Sequence, residues 1–300
     1  MIVLIVGVDG LIGGALGEAM RIAGHRVVGT SRRRDQIDGG TIYLDLADEA
    51  CVDALLPAVD VAFFCAAIAE YRTCRENEPL ARRVNAEHPA VIAKKLVESG
   101  SRVVLLSTSA VIDCRSPRMR ADRPRQPASA YGRTKAEAEL AFLALGTRAA
   151  VLRLTKILTR ETGLFPGWIR DLGKGSPVEC ADDFRFSPIT LEHVVRILTS
   201  IAGQQEGGVF QVSAATDISY AEAAWHMADR LNVPRQLVQG RSSEMLKIDA
   251  DVVTAYTSLD SERIEKKFSF VPPNPRDVID SVMGSLFAAA RTATTIRAGT

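Results

Sequence analysis

MIVLIVGVDGLIGGALG, residues 1 to 17, is the stretch that decides the fold. Five apolar residues, most of them β-branched, run from Ile2 to Val6 and end at Gly7, the pattern of a strand buried in a parallel sheet. Gly7, Gly10 and Gly13 then spell G-x-x-G-x-x-G, and Leu16, Ala19, Met20 and Ala23 carry a helical period onward. Each glycine has a mechanical role. Gly7 lets the chain turn off the strand, Gly10 lets backbone N–H groups approach a pyrophosphate, and Gly13 lets the helix pack closely on the sheet. Leu11 and Ile12 complete the turn, and the helix N-terminus offers its positive dipole end to the phosphates. A chain with 22 glycines makes such spacings by accident, and a tight turn without a ligand is the plainer reading. The position between a strand and a helix favours a dinucleotide site.

Outward from this unit the chain alternates strands and helices. His25 to Gly29 reads as a second strand, followed by Thr30, Ser31, Arg32, Arg33 and Arg34. An acid at this tip would hold a ribose 2′-OH and select NAD; two hydroxyls and three arginines, with Asp35 the first acid, favour the 2′-phosphate of NADP, with NAD as the alternative. A solvated arginine loop is the plainer reading. Ile42 to Leu44 is a short third strand, with Asp45 and Leu46 placed to border an adenine, and Val61 to Phe64 a fourth, running into the small residues Cys65, Ala66 and Ala67 beside a cofactor. Glu78 to Glu98 has helical spacing with a kink expected at Pro89. Arg102 to Leu106 is a fifth strand, and Ser107-Thr108-Ser109 marks its carboxyl end, where open α/β sheets bind ligands. Tyr131 to Leu145 reads as a helix and Ala149 to Leu154 as a sixth strand. This order predicts an α/β fold, a doubly wound parallel (Rossmann) sheet.

After Arg153 the pattern changes. Helices are expected over Leu164–Lys174, Pro188–Ile201, Ser219–Leu231 and Arg276 to about Ala290, with a strand at Val209–Val212. The expected division is a dinucleotide-binding domain over residues 1–155, a smaller mixed α/β substrate lobe over 156–291, and a frayed tail over 292–300, with the helix of 188–201 returning to the first domain.

Composition narrows the function classes. A net charge of +1 argues for neither nucleic acid nor a membrane surface, and no apolar run reaches the roughly 18 residues of a membrane span. With the first strand beginning at Ile2 and no basic segment before it, no secretory leader is expected. Cysteines 51, 65, 74, 114 and 180 form no C-x-x-C pair, and with four scattered histidines no metal site is expected. The expectation is a cytoplasmic protein whose cysteines are small core residues.

The chemistry concentrates at Tyr131-Gly132-Arg133-Thr134-Lys135, which puts a phenol and an ammonium at i and i+4 on one helix face. An ammonium and a nicotinamide cation favour phenolate, so Tyr131 can exchange a proton with a carbonyl or hydroxyl while a hydride moves. Thr108 is placed to hydrogen-bond the same oxygen. In the loop from Ile112 to Ala130, Arg115, Arg118, Arg120, Arg123 and Arg125 face only Asp113 and Asp122. They form a solvated surface or, in one or two cases, meet a substrate's diphosphate.

The sequence resembles the extended short-chain dehydrogenase/reductases, closest to the dTDP-4-dehydrorhamnose reductase group. GVDGLIGGALG is similar to that family's cofactor loop, LLSTSAVID to its catalytic Ser/Thr segment with Thr108 in the slot, and PASAYGRTKAEAE to its Tyr/Lys helix. ARRVNAEHP resembles the segment supplying a supporting Asn, here Asn85. DDFRFSPIT, GGVFQVSAATDISYAEAA and TSLDSERI resemble the sugar-nucleotide lobe and its return segment. The resemblance implies an NADP-dependent reductase of a keto group on a nucleotide-linked sugar, with Tyr131 as proton donor, Lys135 holding the nicotinamide ribose, and a homodimer as the assembly. A nucleotide-sugar epimerase with bound NAD(P) and a non-catalytic NAD(P)-binding regulatory subunit are the alternatives. Two departures, Ser109 where the reductases carry an acid and Ile112 where they carry an aromatic, bear on which sugar is taken.

Overall fold

A computed structural model describes residues 1–54, 56–161 and 163–298, with side chains from 292 onward left out. Six strands come first: β1 (Ile2–Val6), β2 (Arg26–Ser31), β3 (Thr41–Tyr43), β4 (Val61–Phe64), β5 (Arg102–Thr108) and β6 (Ala149–Leu154). Between them lie helices α1 (Leu11–Ile22), α2 (Tyr71–Glu76), α3 (Glu78–Arg82), α4 (His88–Glu98) and α5 (Ala130–Leu143). The strands run parallel in the order β3-β2-β1-β4-β5-β6, and a seventh, Gly208–Val212, pairs with β6 at the far edge. The order reverses at β1 and β4, so a crevice opens beyond their carboxyl ends.

Alternation along the strands assigns the two faces. Val3 and Ile5 join Leu16 and Met20 of α1 in one core, and Leu4 and Val6 join Ile92, Leu96 and Phe142 of α4 and α5 in the other. Both sides of the sheet are covered, which is why its strands are apolar on both faces.

The expected single helix of 78–98 is broken. Helix α3 passes into a π turn at Arg83–Glu87, and α4 begins at His88 with Pro89 in its first turn. Pro89 has no N–H to donate back to Asn85, so the chain widens by one residue just before it. Helix α2 has no counterpart in the sequence reading, because six residues are too short for a period to show.

The second part of the chain adds helices α6 (Phe165–Gly173), α7 (Leu191–Ala202), α8 (Tyr220–Leu231), α9 (Glu262–Phe268) and α10 (Pro275–Ala298). Helices α6, α8 and α10 enclose a separate core of Trp168, Ile169, Leu172, Met227, Ile279, Met283 and Phe287. Val194, Ile197, Leu198 and Ile201 of helix α7 pack with the residues of α1. The strand of 208–212 returns too, with Ile264 of α9, where the sequence reading left both in the smaller lobe. Isolated strand and helix patterns do not say which sheet they join; here Phe210 and Val212 bury against the main core. Helix α10 continues past the expected end at Ala290 to Ala298; residues 299 and 300 of the expected tail lie outside the described residues. Among the described residues no helix is long and apolar enough to cross a membrane.

Candidate active site

The crevice is a cleft of about 660 Å³ at the carboxyl ends of β1, β2 and β4. Every residue assigned from sequence to the cofactor, Lys135 excepted, lies on its wall: Gly7, Gly10, Leu11, Ile12 and Gly13 from the glycine loop, Ser31, Arg32 and Arg33 after β2, Asp45 and Leu46 after β3, and Cys65, Ala66 and Ala67 after β4.

The glycine loop is close-packed on itself. Gly7 has φ +90°, and a Cβ on Gly13 would stand 2.1 Å from the Gly7 carbonyl oxygen. Gly10 differs. A Cβ there would meet only the Gly7 carbonyl oxygen, at an ordinary 3.5 Å, so the protein's own packing does not require glycine at that position. A side chain on Gly10 would take up room in the cleft it lines, as expected where backbone must lie close to a pyrophosphate. On this test the residues present fit a dinucleotide.

At the end of β2 the Thr30 hydroxyl accepts from the Gly7 N–H at 3.2 Å, and the Ser31 hydroxyl accepts from the Arg33 N–H at 2.9 Å. The three arginines are not equivalent. Arg34 lies over the Tyr43 ring at 4.1 Å, and the Arg33 Nε is 3.3 Å from Asp9 of the glycine loop. Arg32 has no ion pair among the described residues. Asp9 is an acid that the sequence reading, confined to the segment after β2, passed over. Beyond β3, Asp45 accepts from the Ala47 N–H, and the Leu46 carbonyl lies 3.0 Å from His88 Nδ1.

The four groups assigned to catalysis are not part of the described wall of this cleft. Thr108 ends β5 and caps a short turn, Ser109–Val111, accepting from the Ala110 N–H at 3.2 Å. Helix α5 begins at Ala130 with Ser129 as its cap, accepting from the Gly132 N–H at 3.1 Å. A Cβ on Gly132 would come within 2.3 Å of the Ala110 carbonyl oxygen, so the glycine beside Tyr131 allows the helix start to press against the turn after Thr108. Asn85, buried in the π turn, accepts from the Ile68 N–H at 2.7 Å and donates to the Ile68 carbonyl at 2.9 Å and the Thr134 hydroxyl at 3.1 Å. That hydroxyl donates to the Tyr131 carbonyl at 2.9 Å. Asn85 thus ties the cleft wall at Ile68 to the first turn of α5.

The Tyr131 ring is half-buried and lies 5.4 Å from the ring of Tyr71 on α2. Burial pushes its phenol above the ordinary range, and Tyr71 and Cys74 push it further the same way. The expectation that Lys135 lowers this phenol is not met in the chain by itself: burial, Tyr71 and Cys74 all act to raise it. At neutral pH Tyr131 is therefore a phenol, which suits a proton donor. Lys135 is buried, and burial pulls its ammonium down to about 8, against opposing pulls from Glu139 and Cys65. Cys65, which acts on Lys135, lines the cleft in the segment after β4.

Sequence reading missed a buried ion network beneath the site. Glu139 and Arg153 are fully buried and paired, with Arg153 Nε and Nη2 donating to the carboxylate at 2.9 and 2.7 Å. Arg125 Nε and the Ser107 hydroxyl donate to the same carboxylate at 2.7 and 2.6 Å. The signal was present: Arg153 interrupts an otherwise apolar strand, where a charge must find a partner. Of the remaining loop arginines, Arg123 pairs with Asp113 and Arg120 with Asp122, leaving Arg115 and Arg118 without an ion pair among the described residues.

The sequence profile described as RmlD substrate binding domain matches residues 1–287. The chain belongs to that family. A probable low-salt glycan biosynthesis reductase, Agl14, of Haloferax volcanii is 24% identical to it over 289 residues, 92% of this chain and 95% of that one. The dTDP-4-dehydrorhamnose reductase of Mycobacterium tuberculosis is 30% identical over 176 residues, 56% of this chain and 58% of that one. Methionine adenosyltransferase 2 subunit beta of Xenopus tropicalis is 32% identical over 155 residues, 50% and 45% of the two chains. In fold, the dTDP-4-dehydrorhamnose reductase of Bacillus anthracis, solved in complex with NADP, superposes with a TM-score of 0.78 at 17% identity, covering 95% of this chain and 98% of that one. MoeE5, solved with UDP-glucose and NAD, superposes with a TM-score of 0.77 at 24% identity over the whole of both chains. Among the described residues, no group of three or more His, Cys, Asp or Glu could hold a metal ion.

Proposed function

We propose that this chain is an NADP(H)-dependent reductase of a keto group on a nucleotide-linked sugar. The observation that carries the reading is the cleft, with a glycine loop and an arginine-bearing rim on its wall; Asn85 ties its wall at Ile68 to the helix of Tyr131 and Lys135, and Gly132 presses that helix against the turn after Thr108. One structural neighbour was solved with NADP and another with NAD, and Arg32, with no carboxylate paired to it among the described residues, favours the 2′-phosphate.

The glycine loop, Arg32 and Lys135 would hold a reduced dinucleotide, which would supply the hydride for the carbonyl carbon. The carbonyl oxygen then needs one proton, and Tyr131, kept as a phenol by its burial, gives it. Thr108 orients the carbonyl with its hydroxyl, and the Lys135 ammonium stands one helical turn from Tyr131 to hold the ribose and stabilise the phenolate left behind. Asn85 keeps the two walls in register. Arg115 and Arg118 are the loop arginines left to meet a diphosphate. The family resemblance also points to a homodimer, which sedimentation of the purified chain tests.

The deciding experiment incubates the protein with NADPH and a panel of 4-keto nucleotide sugars and follows the absorbance of the reduced cofactor. Loss of NADPH with a hydroxylated product supports the reading; a changed sugar without net NADPH loss identifies an epimerase. The match to a methionine adenosyltransferase subunit favours one second reading, a cofactor-binding regulatory subunit. That reading predicts tight NADP binding with no turnover of any sugar.

A further inference from the structure

Helix α5 carries three functional groups on one face at four-residue intervals: the Tyr131 phenol, the Lys135 ammonium and the Glu139 carboxylate. In an exposed helix Lys135 and Glu139 would pair. Here the carboxylate is occupied at every position: its Oε1 accepts from Ser107 and Arg153, its Oε2 from Arg153 and Arg125. Ser107 adjoins Thr108 on β5. Arg153 stands on β6 and also donates to the Ala121 carbonyl and to Gln211 of the edge strand, at 3.2 and 3.0 Å. Gln211 in turn donates to the carbonyls of Met119 and Asp260. One carboxylate therefore joins the strand of Thr108, the helix of Tyr131, the arginine loop and the sheet edge.

We infer that Glu139 is a positioning residue: by taking Ser107, Arg125 and Arg153 on its two oxygens it fixes the Thr108 strand to the Tyr131 helix and leaves the Lys135 ammonium without an ion pair among the described residues. The arrangement has an electrostatic side. Two guanidinium groups share one carboxylate, so the cluster is one positive charge in excess, one helical turn from Lys135. The other titratable groups against this face are Cys65 from the end of β4 and, around Tyr131, Tyr71 and Cys74 of α2. Arg125 is the member reached by solvent, its side chain 23% exposed where Glu139 and Arg153 are fully covered. Arg125 can therefore be changed with the least damage to the fold.

The part this cluster plays in turnover rests on the reductase reading; its effect on Lys135 does not. The test is a titration of Lys135 by NMR in the unliganded, full-length chain labelled with 13C-lysine, its signal assigned by its loss in Lys135→Arg. Burial, which pulls the Lys135 ammonium down to about 8, sets the midpoint expected for the parent. Arg125→Gln removes the excess cation and moves the midpoint up, by roughly half to one pH unit. Glu139→Gln leaves two unbalanced cations and moves it down, and Ser107→Ala leaves it in place. A purely structural role gives loss of stability without shifts of opposite sign. Midpoints that stay put, or move together, overturn the inference; if Glu139→Gln does not fold, an unmoved midpoint in Arg125→Gln overturns it alone. Failure of the sugar panel with opposite shifts intact would count against the reductase reading only.

Discussion

Gly132 and the Ala110 carbonyl are in contact so close that a Cβ on the glycine would stand 2.3 Å from the oxygen. This contact joins the start of α5 to the turn after Thr108 and so sets how near Tyr131 comes to Thr108. Gly132→Ala must push the two apart. Turnover is expected to fall by about 10²-fold, the cost of an ångström-scale misplacement, with NADPH affinity changed far less. Stopped-flow turnover beside a fluorescence titration of NADPH measures the two separately, and unchanged turnover would show that the spacing is not critical.

Tyr131→Phe keeps the ring against Tyr71 and removes only the hydroxyl. Turnover is expected to drop by roughly 10²–10⁴, as for a positioned general acid, with the melting temperature and NADPH affinity held. A variant that turns over normally would give Tyr131 a packing role and move the proton donor elsewhere.

Arg32 and Arg33 separate the sources of cofactor preference. Arg33 is already held by Asp9, whereas Arg32 has no ion pair among the described residues. Arg32→Ala is expected to weaken NADPH binding more than Arg33→Ala does, and neither should much affect NADH. Asp9→Asn frees Arg33 and should raise the preference for NADPH. Calorimetric dissociation constants for the two cofactors across the three variants check this ordering; equal constants in the parent refute it.

The lowered ammonium of Lys135 predicts an alkaline limit. Burial brings it to about 8 from an ordinary 10.5, so the charged form is complete well below pH 8 and is lost as pH rises through that value. The kcat/KM for NADPH, which reports the free enzyme, should therefore fall above about pH 8. A profile flat to pH 10 would mean the ammonium is not required.

The loop from Ile112 to Ala130 yields a narrower prediction than its five arginines first suggest. Arg120, Arg123 and Arg125 are held by Asp122, Asp113 and Glu139. Replacing Arg115 and Arg118 together by Ala should raise KM for a sugar nucleotide and reduce its sensitivity to salt, with NADPH affinity unchanged. An unchanged KM would assign the diphosphate to the second lobe.

The sequence by itself determined the doubly wound sheet, the glycine loop, the residues around the cleft and the pairing of Tyr131 with Lys135. These are local: a strand followed by glycines, an i, i+4 pair, or small residues at a strand end are written in contiguous residues. The contacts between distant segments were decided only by the tertiary structure. Asp9 meets Arg33 across the cleft, Asn85 leaves a regular helix for a π turn to reach Ile68 and Thr134, and the strand of 208–212 leaves its neighbours in the chain to close the sheet edge. The protonation of the site belongs to the same class. Spacing shows that a phenol and an ammonium share a face, but their charges depend on burial and on Tyr71, Cys74, Cys65 and Glu139, three of which lie on other elements or beyond the ends of strands. Desolvation is a property of everything packed around a group, and no single stretch of chain contains it.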